Sequence, residues 1–393
     1  MASGRLRPAS LYFTAASALT ACFRYTRRLT RIPVQTPSRS YEVLVERDLL
    51  RSAGVALRGI LPAEAHLFLL TSPPIRKPWA GTLRKSLRKA GHAVEMLVMA
   101  DGERAKTLAQ LEKLGSKLVA QGADRHSILV ALGGGVVGDV GGFLASVFMR
   151  GIPVIQVPTT LLAQVDSAIG GKTGVNLEAG KNLLGTFHQP LAVLADPDVL
   201  ATLPEREYRS GLFEAMKYGV IRNPAIVELM EENREALLQR RSELLETLIT
   251  ECIRIKAEVV SGDERESGER RILNFGHTVG HALEAESNYK RFLHGEAVAW
   301  GMIAACRIGV NMEITDEATA RRIVDLVLSY GPLPKVDVNA KRVFQRLLAD
   351  KKAVGGAPHF VLASAMGQVE VVNNVPPEYV IEAVKHVRRL SKA

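Results

Sequence analysis

SILVALGGGVVGDVGGF, residues 127–143, joins an apolar run directly to a glycine-rich turn. The run SILVAL (127–132) has the length and composition of a buried strand. After it come Gly133, Gly135 and Gly138 in the GxGxxG spacing. Such a turn lets the backbone approach a pyrophosphate and points a helix N-terminus at it. A purely structural glycine turn is the competing reading, because the acid expected about 20 residues downstream is missing. The candidate ribose carboxylate is upstream, at Glu103.

Outward from this stretch the pattern alternates. Strands are expected at YEVLVE (41–46), HLFLLT (66–71), VEMLVM (94–99), VIQVPT (154–159) and LAVLAD (191–196), with helices over 81–90 and 103–120. Strands alternating with helices predict an α/β domain with a Rossmann-like, mostly parallel sheet over residues 41–196. Beyond about Pro197 helical patterns dominate, at 205–222, 224–260, 269–287, 295–311 and 316–330, so residues 197–393 read as an α-helical domain. HFVLAS (359–364) and VEVVNN (369–374) read as a small hairpin. A cleft between the two domains is expected.

The 393 residues carry a net charge of +10, with 47% apolar and 23% charged residues. Residues 1–41 hold seven arginines and no acid, which leaves about +3 for the remainder. A weakly positive body with only 5% aromatics argues against nucleic acid and suits a small anionic substrate. Three widely spaced cysteines form no CxxC, so a reducing compartment is expected. No segment reads as a membrane span, and the cytoplasm is the expected location. Residues 1–40 read as a basic, disordered leader; export, organelle import and a misplaced start site are alternatives.

Residues 272–296, ILNFGHTVGHALEAESNYKRFLHGE, place His277, His281 and His294 close to Glu284 and Glu296. His277 and His281 are four apart, so on a helix they share one face and can present two imidazoles to a divalent metal. Histidine with carboxylate suits zinc, and a catalytic zinc keeps three protein ligands and one open position. A satisfied pair of helix-face histidines is the plainer alternative. A third cluster, Asp166, Lys172, Lys181 and Asn182, falls in glycine-punctuated loops after a strand, where ligands of open α/β sheets gather. Lysines there suit phosphate, although most single loop lysines are simply solvated.

GGGVVGDVGGF, MRG, PTTLLAQVDSAIGGKT, GKNLLG, FEAMKYG, LNFGHTVGHALE and HGEAVAWGM, in this order from about residue 102 to 352, resemble the 3-dehydroquinate synthase family of sugar phosphate cyclases. The resemblance implies a homodimer that binds NAD and zinc (or cobalt). The implied reaction takes a small anionic sugar phosphate, 3-deoxy-D-arabino-heptulosonate 7-phosphate, to 3-dehydroquinate and phosphate. The implied metal ligands are Glu214, His277 and His294, which replaces the i,i+4 pair and moves His281 to the phosphate. NAD would meet Glu103, Lys106, Gly134, Gly135, Val136, Asp139, Thr159, Thr160, Lys172, Lys181, Thr202, Leu203 and Glu207. Substrate would meet Asp166, Lys172, Asn182, Lys217, Lys256, Arg270, Asn274 and His281, with Arg150 reaching the neighbouring subunit's site. Asp350, Lys351 and Lys352 resemble the family's late DKK element. One departure stands out: the family's Asp-x-Asn after the second strand reads Thr71-Ser72-Pro73-Pro74 here. Sister cyclases and metal-dependent alcohol dehydrogenases are the rival readings, with a non-catalytic homologue the remaining one.

Overall fold

The computed structural model describes residues 29–354 and 358–392, with side chains except at 349–354. A seven-stranded sheet runs in the order β1 (Thr30–Gln35), β2 (Ser40–Val45), β9 (Ala192–Ala195), β6 (Val154–Pro158), β5 (Ile128–Gly133), β3 (His66–Thr71), β4 (Ala93–Val98). Every neighbouring pair is parallel except β1 with β2, where Thr30 faces Val45 and Gln35 faces Ser40. The inner strands are buried on both faces and alternate between them. Leu67 and Leu69 of β3 enter the larger core, while Phe68 and Leu70 enter a smaller one.

The smaller core lies under two helices, α3 (Leu108–Ala120) and α4 (Gly135–Val147). The other face carries α1 (Leu49–Ala56) and α2 (Gly81–Lys89), and its core continues without a break into the helical half. That half contains α5 (Glu205–Ile221), α6 (Pro224–Glu232), α7 (Ser242–Gly262), α8 (His277–Glu286), α9 (His294–Asn311), α10 (Glu317–Ser329), α11 (Ala340–Val354) and α12 (Pro377–Leu390). The expected hairpin forms from β10 (Phe360–Ala365) and β11 (Gln368–Val372).

The structure corrects three expectations. Residues 30–35 are not part of a disordered leader: they form an edge strand that buries Ile32 and Val34, and an edge position tolerates Pro33. Residues 1–28, including Cys22, lie outside the described residues. The stretch after Gly171, expected as loops, is an antiparallel hairpin of β7 (Lys172–Leu177) and β8 (Gly180–Phe187). Its glycines disguise it, yet they let the strands meet: a Cβ on Gly174 would lie 2.7 Å from the Leu184 carbonyl oxygen. The single helix expected over 224–260 is broken at Asn233, and again where Arg240 takes a left-handed φ of 58°.

Backbone contact sets the spacing of the helical half. A Cβ on Gly301 of α9 would lie 1.8 Å from the carbonyl oxygen of Gly276, and one on Gly295 would lie 1.9 Å from that of Ser210 in α5. Helices α5, α8 and α9 therefore approach closer than any side chain would allow. Gly301→Ala forces α8 and α9 apart, and overpacking of this kind costs about 1–3 kcal/mol. Its urea midpoint is expected to fall accordingly; an unchanged midpoint would contradict the close contact.

Candidate active site

Helices α5, α8 and α9 converge on one carboxylate. Glu214, in the middle of α5, is completely buried, and neither of its oxygens has a well-aligned hydrogen-bond donor. Its Oε1 faces the Nε2 atoms of His277 at 3.4 Å and His294 at 3.3 Å, and Lys217 Nζ lies 2.6 Å from Oε2. His277 and His294 occupy the first positions of α8 and α9, so the electropositive starts of two helices lie beside this negative charge.

The two histidines are already committed at their other nitrogens. His277 Nδ1 lies 3.1 Å from the Phe275 carbonyl oxygen, and His294 Nδ1 lies 3.2 Å from Glu284 Oε2. With Nδ1 engaged outward, each ring presents its Nε2 to Glu214 and the pocket, the placement of metal-binding histidines with outer-shell partners. His281 follows one turn later on the same face of α8, as its spacing predicts. The ligand atoms of His277, His281 and His294 lie within 4.8 Å of one another, so this triad can hold a metal ion. Glu296, the other acid of the segment, has a structural role: it accepts from the Leu293 backbone N–H and pairs with Arg206.

Charge balance in the pocket follows from these contacts. Burial disfavours the Glu214 anion, but Lys217 and His277 hold its carboxyl well below the usual range. Burial also works against a charged His294, yet Glu214 and Glu284 outweigh it and push the imidazole up to about 10. A proton on His294 thus supplies the positive charge that Glu214 demands. His277 stays neutral because burial and Lys217 lower it.

Next to this pocket Asp166 accepts from Lys256 at 2.7 Å, while the Tyr218 hydroxyl lies 2.8 Å away and Lys217 Nζ 3.8 Å away. Burial raises Asp166, but Lys256 and Lys217 hold it ionised far below the ordinary carboxylate range. Burial, together with Lys217 and Arg270, pulls Lys256 down to about 8 against the pull of Asp166. Arg270 is buried against Gly170, whose left-handed φ of 98° and missing side chain make room for the guanidinium. Its Nη1 donates to the Glu264 carbonyl at 2.5 Å, and its Nε is without a partner.

Most of the other expected residues gather on the same side. Lys106 is buried and bonds both Asp139 and Asn182, while Asn176 ties Glu103 to the hairpin. Lys181 Nζ sits 3.6 Å from Glu284 and over the Tyr289 ring. Lys172 pairs with Glu266, which also accepts from Asn274 at 2.8 Å. The glycine turn is in part a packing device: a Cβ on Gly133 would strike Val137, and one on Gly138 would lie 2.9 Å from Gln156 Oε1. Even so, no side chain caps α4 after Gly134, and the Thr159 hydroxyl beyond β6 is buried without a partner. Thr160 packs against Gly134, Val136 is half-buried, and Thr202 accepts from the Trp79 indole beside Leu203 and an exposed Glu207. Arg150 is exposed at the far end of α4, away from the Glu214 pocket. Asp350, Lys351 and Lys352 lie on α11, and their side chains are outside those described.

Sequence reasoning missed the roles of Glu284, Tyr218 and Glu266. Glu284 was visible only as a nearby acid, Tyr218 only as a motif letter, and Glu266 in a charged loop gave no signal.

For metal-stripped protein the sign of one pH effect follows. The folded pKa of His294, about 10, lies above its ordinary 6.5. The stabilisation is full below pH 6.5 and is lost as pH rises toward 10. The urea midpoint of the chelated chain should exceed that of His294→Gln by a margin that shrinks across this window. A margin that grew with pH would contradict the assignment.

Residues 96–210 match the model of the 3-dehydroquinate synthase N-terminal domain, and 211–353 that of its C-terminal domain. The chain is 58% identical to the 3-dehydroquinate synthase of Koribacter versatilis over 92% of its length and 99% of the relative. Among solved structures, ValA, the 2-epi-5-epi-valiolone synthase of Streptomyces hygroscopicus subsp. jinggangensis with NAD+ and Zn2+ bound, superposes with a TM-score of 0.81 at 28% identity, covering 90% of this chain and 98% of that one. A 2-deoxy-scyllo-inosose synthase complexed with carbaglucose-6-phosphate, NAD+ and Co2+ also gives 0.81 at 28% identity, over 91% of this chain and all of that one. With both halves matched and the relatives spanned almost end to end, the chain belongs to the 3-dehydroquinate synthase family.

Proposed function

We propose that the chain converts 3-deoxy-D-arabino-heptulosonate 7-phosphate into 3-dehydroquinate and inorganic phosphate, the second step of the shikimate pathway, with NAD oxidant and reductant in the same turnover. One observation carries the reading: in a chain of this family, a buried carboxylate without aligned donors faces two histidine Nε2 atoms whose rings are held from behind. Glu214, His277 and His294 fit a zinc or cobalt ion, and His281, which has no such backing, is left for substrate.

When bound, the metal would acidify the substrate's vicinal hydroxyls, and NAD would take up hydride and return it. The uncapped start of α4 at Gly134, Gly135 and Val136 supports a pyrophosphate site, and the unpartnered Thr159 hydroxyl offers a further hydrogen bond. Glu103, Lys106, Asp139, Thr160, Lys181, Thr202, Leu203 and Glu207 complete the proposed cofactor contacts.

Lys256 and Arg270, the two buried cations beside Asp166 and Gly170, suit the substrate carboxylate, with the guanidinium giving it a fixed orientation. Asp166, kept ionised by Lys256 and Lys217, can accept from a substrate hydroxyl without taking up its proton. Lys172, Asn182, Asn274 and His281 would hold and orient the phosphate so that a departing dianion can itself remove the neighbouring acidic proton. His281 is exposed on the face of α8 beside His277 and His294, and the surrounding protein and these two rings lower its imidazole to about 3, which keeps it neutral and able to donate or accept there.

The homodimer belongs to the same proposal. Val147 and Met149, at the end of α4, and Phe187, at the end of β8, are exposed apolar side chains, and the Thr186–Ser146 bond ties these two element ends together. Arg150, exposed next to Met149, would enter the cleft of a second copy; a sedimentation mass of one chain at assay concentration would contradict this. Among the described residues no helix is long and apolar enough to cross a membrane. We assign the enzyme to the cytoplasm, a placement compatible with its free, buried Cys252 and Cys306.

Purified protein incubated with zinc, NAD and the heptulosonate phosphate should release phosphate and form dehydroquinate in equal amounts with no net NADH. Bound zinc and NAD without turnover would move the assignment to a sister cyclase with another sugar phosphate. Glu214→Ala should lose both zinc and turnover.

A further inference from the structure

The loop between α7 and α8 presents one carboxylate to residues that have another task. Asp263 anchors the loop by accepting from the backbone N–H groups of Ser267, Gly268 and Arg270 at 3.0, 2.6 and 3.2 Å. Glu264 anchors it from the other side through Gln189 Nε2 at 2.8 Å and the Ser38 hydroxyl. Between these ties Glu266 takes a left-handed φ of 59°, a conformation that L side chains adopt reluctantly. Its carboxylate reaches Lys172 Nζ with one oxygen and accepts from Asn274 Nδ2 at 2.8 Å with the other, and the Arg270 charge lies near enough to act on it.

Lys172, Asn274 and Arg270 come from a hairpin strand and from the segment before α8, and all three are substrate contacts in the reading above. A group that bridges an ammonium and an amide N–H with two oxygens has the donor requirements of a phosphate or carboxylate. Lys172 is half exposed and Glu266 keeps about a fifth of its side chain open, so the pair is reachable from solvent. We propose that Glu266 is a built-in stand-in for an anionic group of the substrate, occupying its Lys172–Asn274 subsite until substrate displaces it. The inference rests on the functional reading for which anion arrives, but not for the exchange itself.

The exchange has a physical rationale. An empty subsite would leave Lys172 and Asn274 without partners, whereas a resident carboxylate satisfies them at a cost to anion affinity. A neutral ligand, or an anion too small to bridge both donors, could not replace it, so occupancy selects against loose binders. On this account Glu266 sets anion affinity and specificity.

The test compares the chain with Glu266→Gln, both loaded with zinc and NAD, by titrating inorganic phosphate and, separately, acetate in a calorimeter. Removing the resident charge while keeping the side chain's length should tighten one or both anions by about tenfold, the effect of releasing an ion pair of about 1.4 kcal/mol. Tighter phosphate identifies the phosphate end as the displacing group, and tighter acetate identifies the carboxylate end. Unchanged or weaker binding of both anions would overturn the proposal and mark Glu266 as a residue that positions Lys172; in that case KM would also rise. If the glutamine variant fails to fold, hydrogen exchange on the unmodified chain decides. Saturating phosphate should speed exchange in residues 263–270, and unchanged protection there counts against displacement. Because anion binding needs no turnover, failure of the cyclase assay and failure of this inference are read separately.

Discussion

Glu214 is an ionised group in a dry place, and much of the helical half is arranged to make that tolerable. An isolated buried carboxylate costs several kcal/mol unless it is paired, and pairing must come from groups whose own burial is offset. Here the partners are Lys217 one turn along the same helix, two histidines at the starts of α8 and α9, and the electropositive ends of those helices. The helices can deliver these groups only because glycines at 276, 295 and 301 let backbones touch. Packing and charge are therefore one problem in this chain: widening the helix spacing by a methyl group would also draw Glu214 away from His277 and His294.

The same logic extends across the cleft. Lys106 with Asp139 and Asn182, Lys256 and Lys217 with Asp166, and Lys172 with Glu266 are paired before any ligand arrives. Binding of an anionic substrate is then an exchange of partners, with little net gain in charge pairing. Such a site sacrifices affinity for orientation, which suits a reaction that must hold one small molecule through several chemical steps.

Much of this was legible in the sequence. The six expected strands appear within a residue or so of their places, because fully buried parallel strands write themselves as uninterrupted apolar runs. His277 and His281 were readable from helical spacing, and the glycine turn from its position after a strand. What escaped depended on long-range contact. Strand β1 has only Ile32 and Val34 facing inward, too few to show a period, and the β7–β8 hairpin has glycines where strand formers are expected. The break at Asn233 falls inside a continuous helical pattern. Glu284 and Glu266 act on His294 and Lys172, partners separated from them by 10 and 94 positions, and composition carries no trace of such pairings. Spacing alone also ranks His281 with His277 as a ligand; what distinguishes His277 and His294 in the fold is that their Nδ1 atoms are occupied.

The account stands on Glu214 being a metal ligand, and X-ray absorption at the zinc edge together with an anomalous map of zinc-loaded crystals tests that directly. It predicts one carboxylate oxygen and two imidazole nitrogens at about 2.0–2.2 Å, from Glu214, His277 and His294, with His281 outside bonding distance. Zinc bonded to all three histidines, with the Glu214 carboxylate left on Lys217, would contradict it.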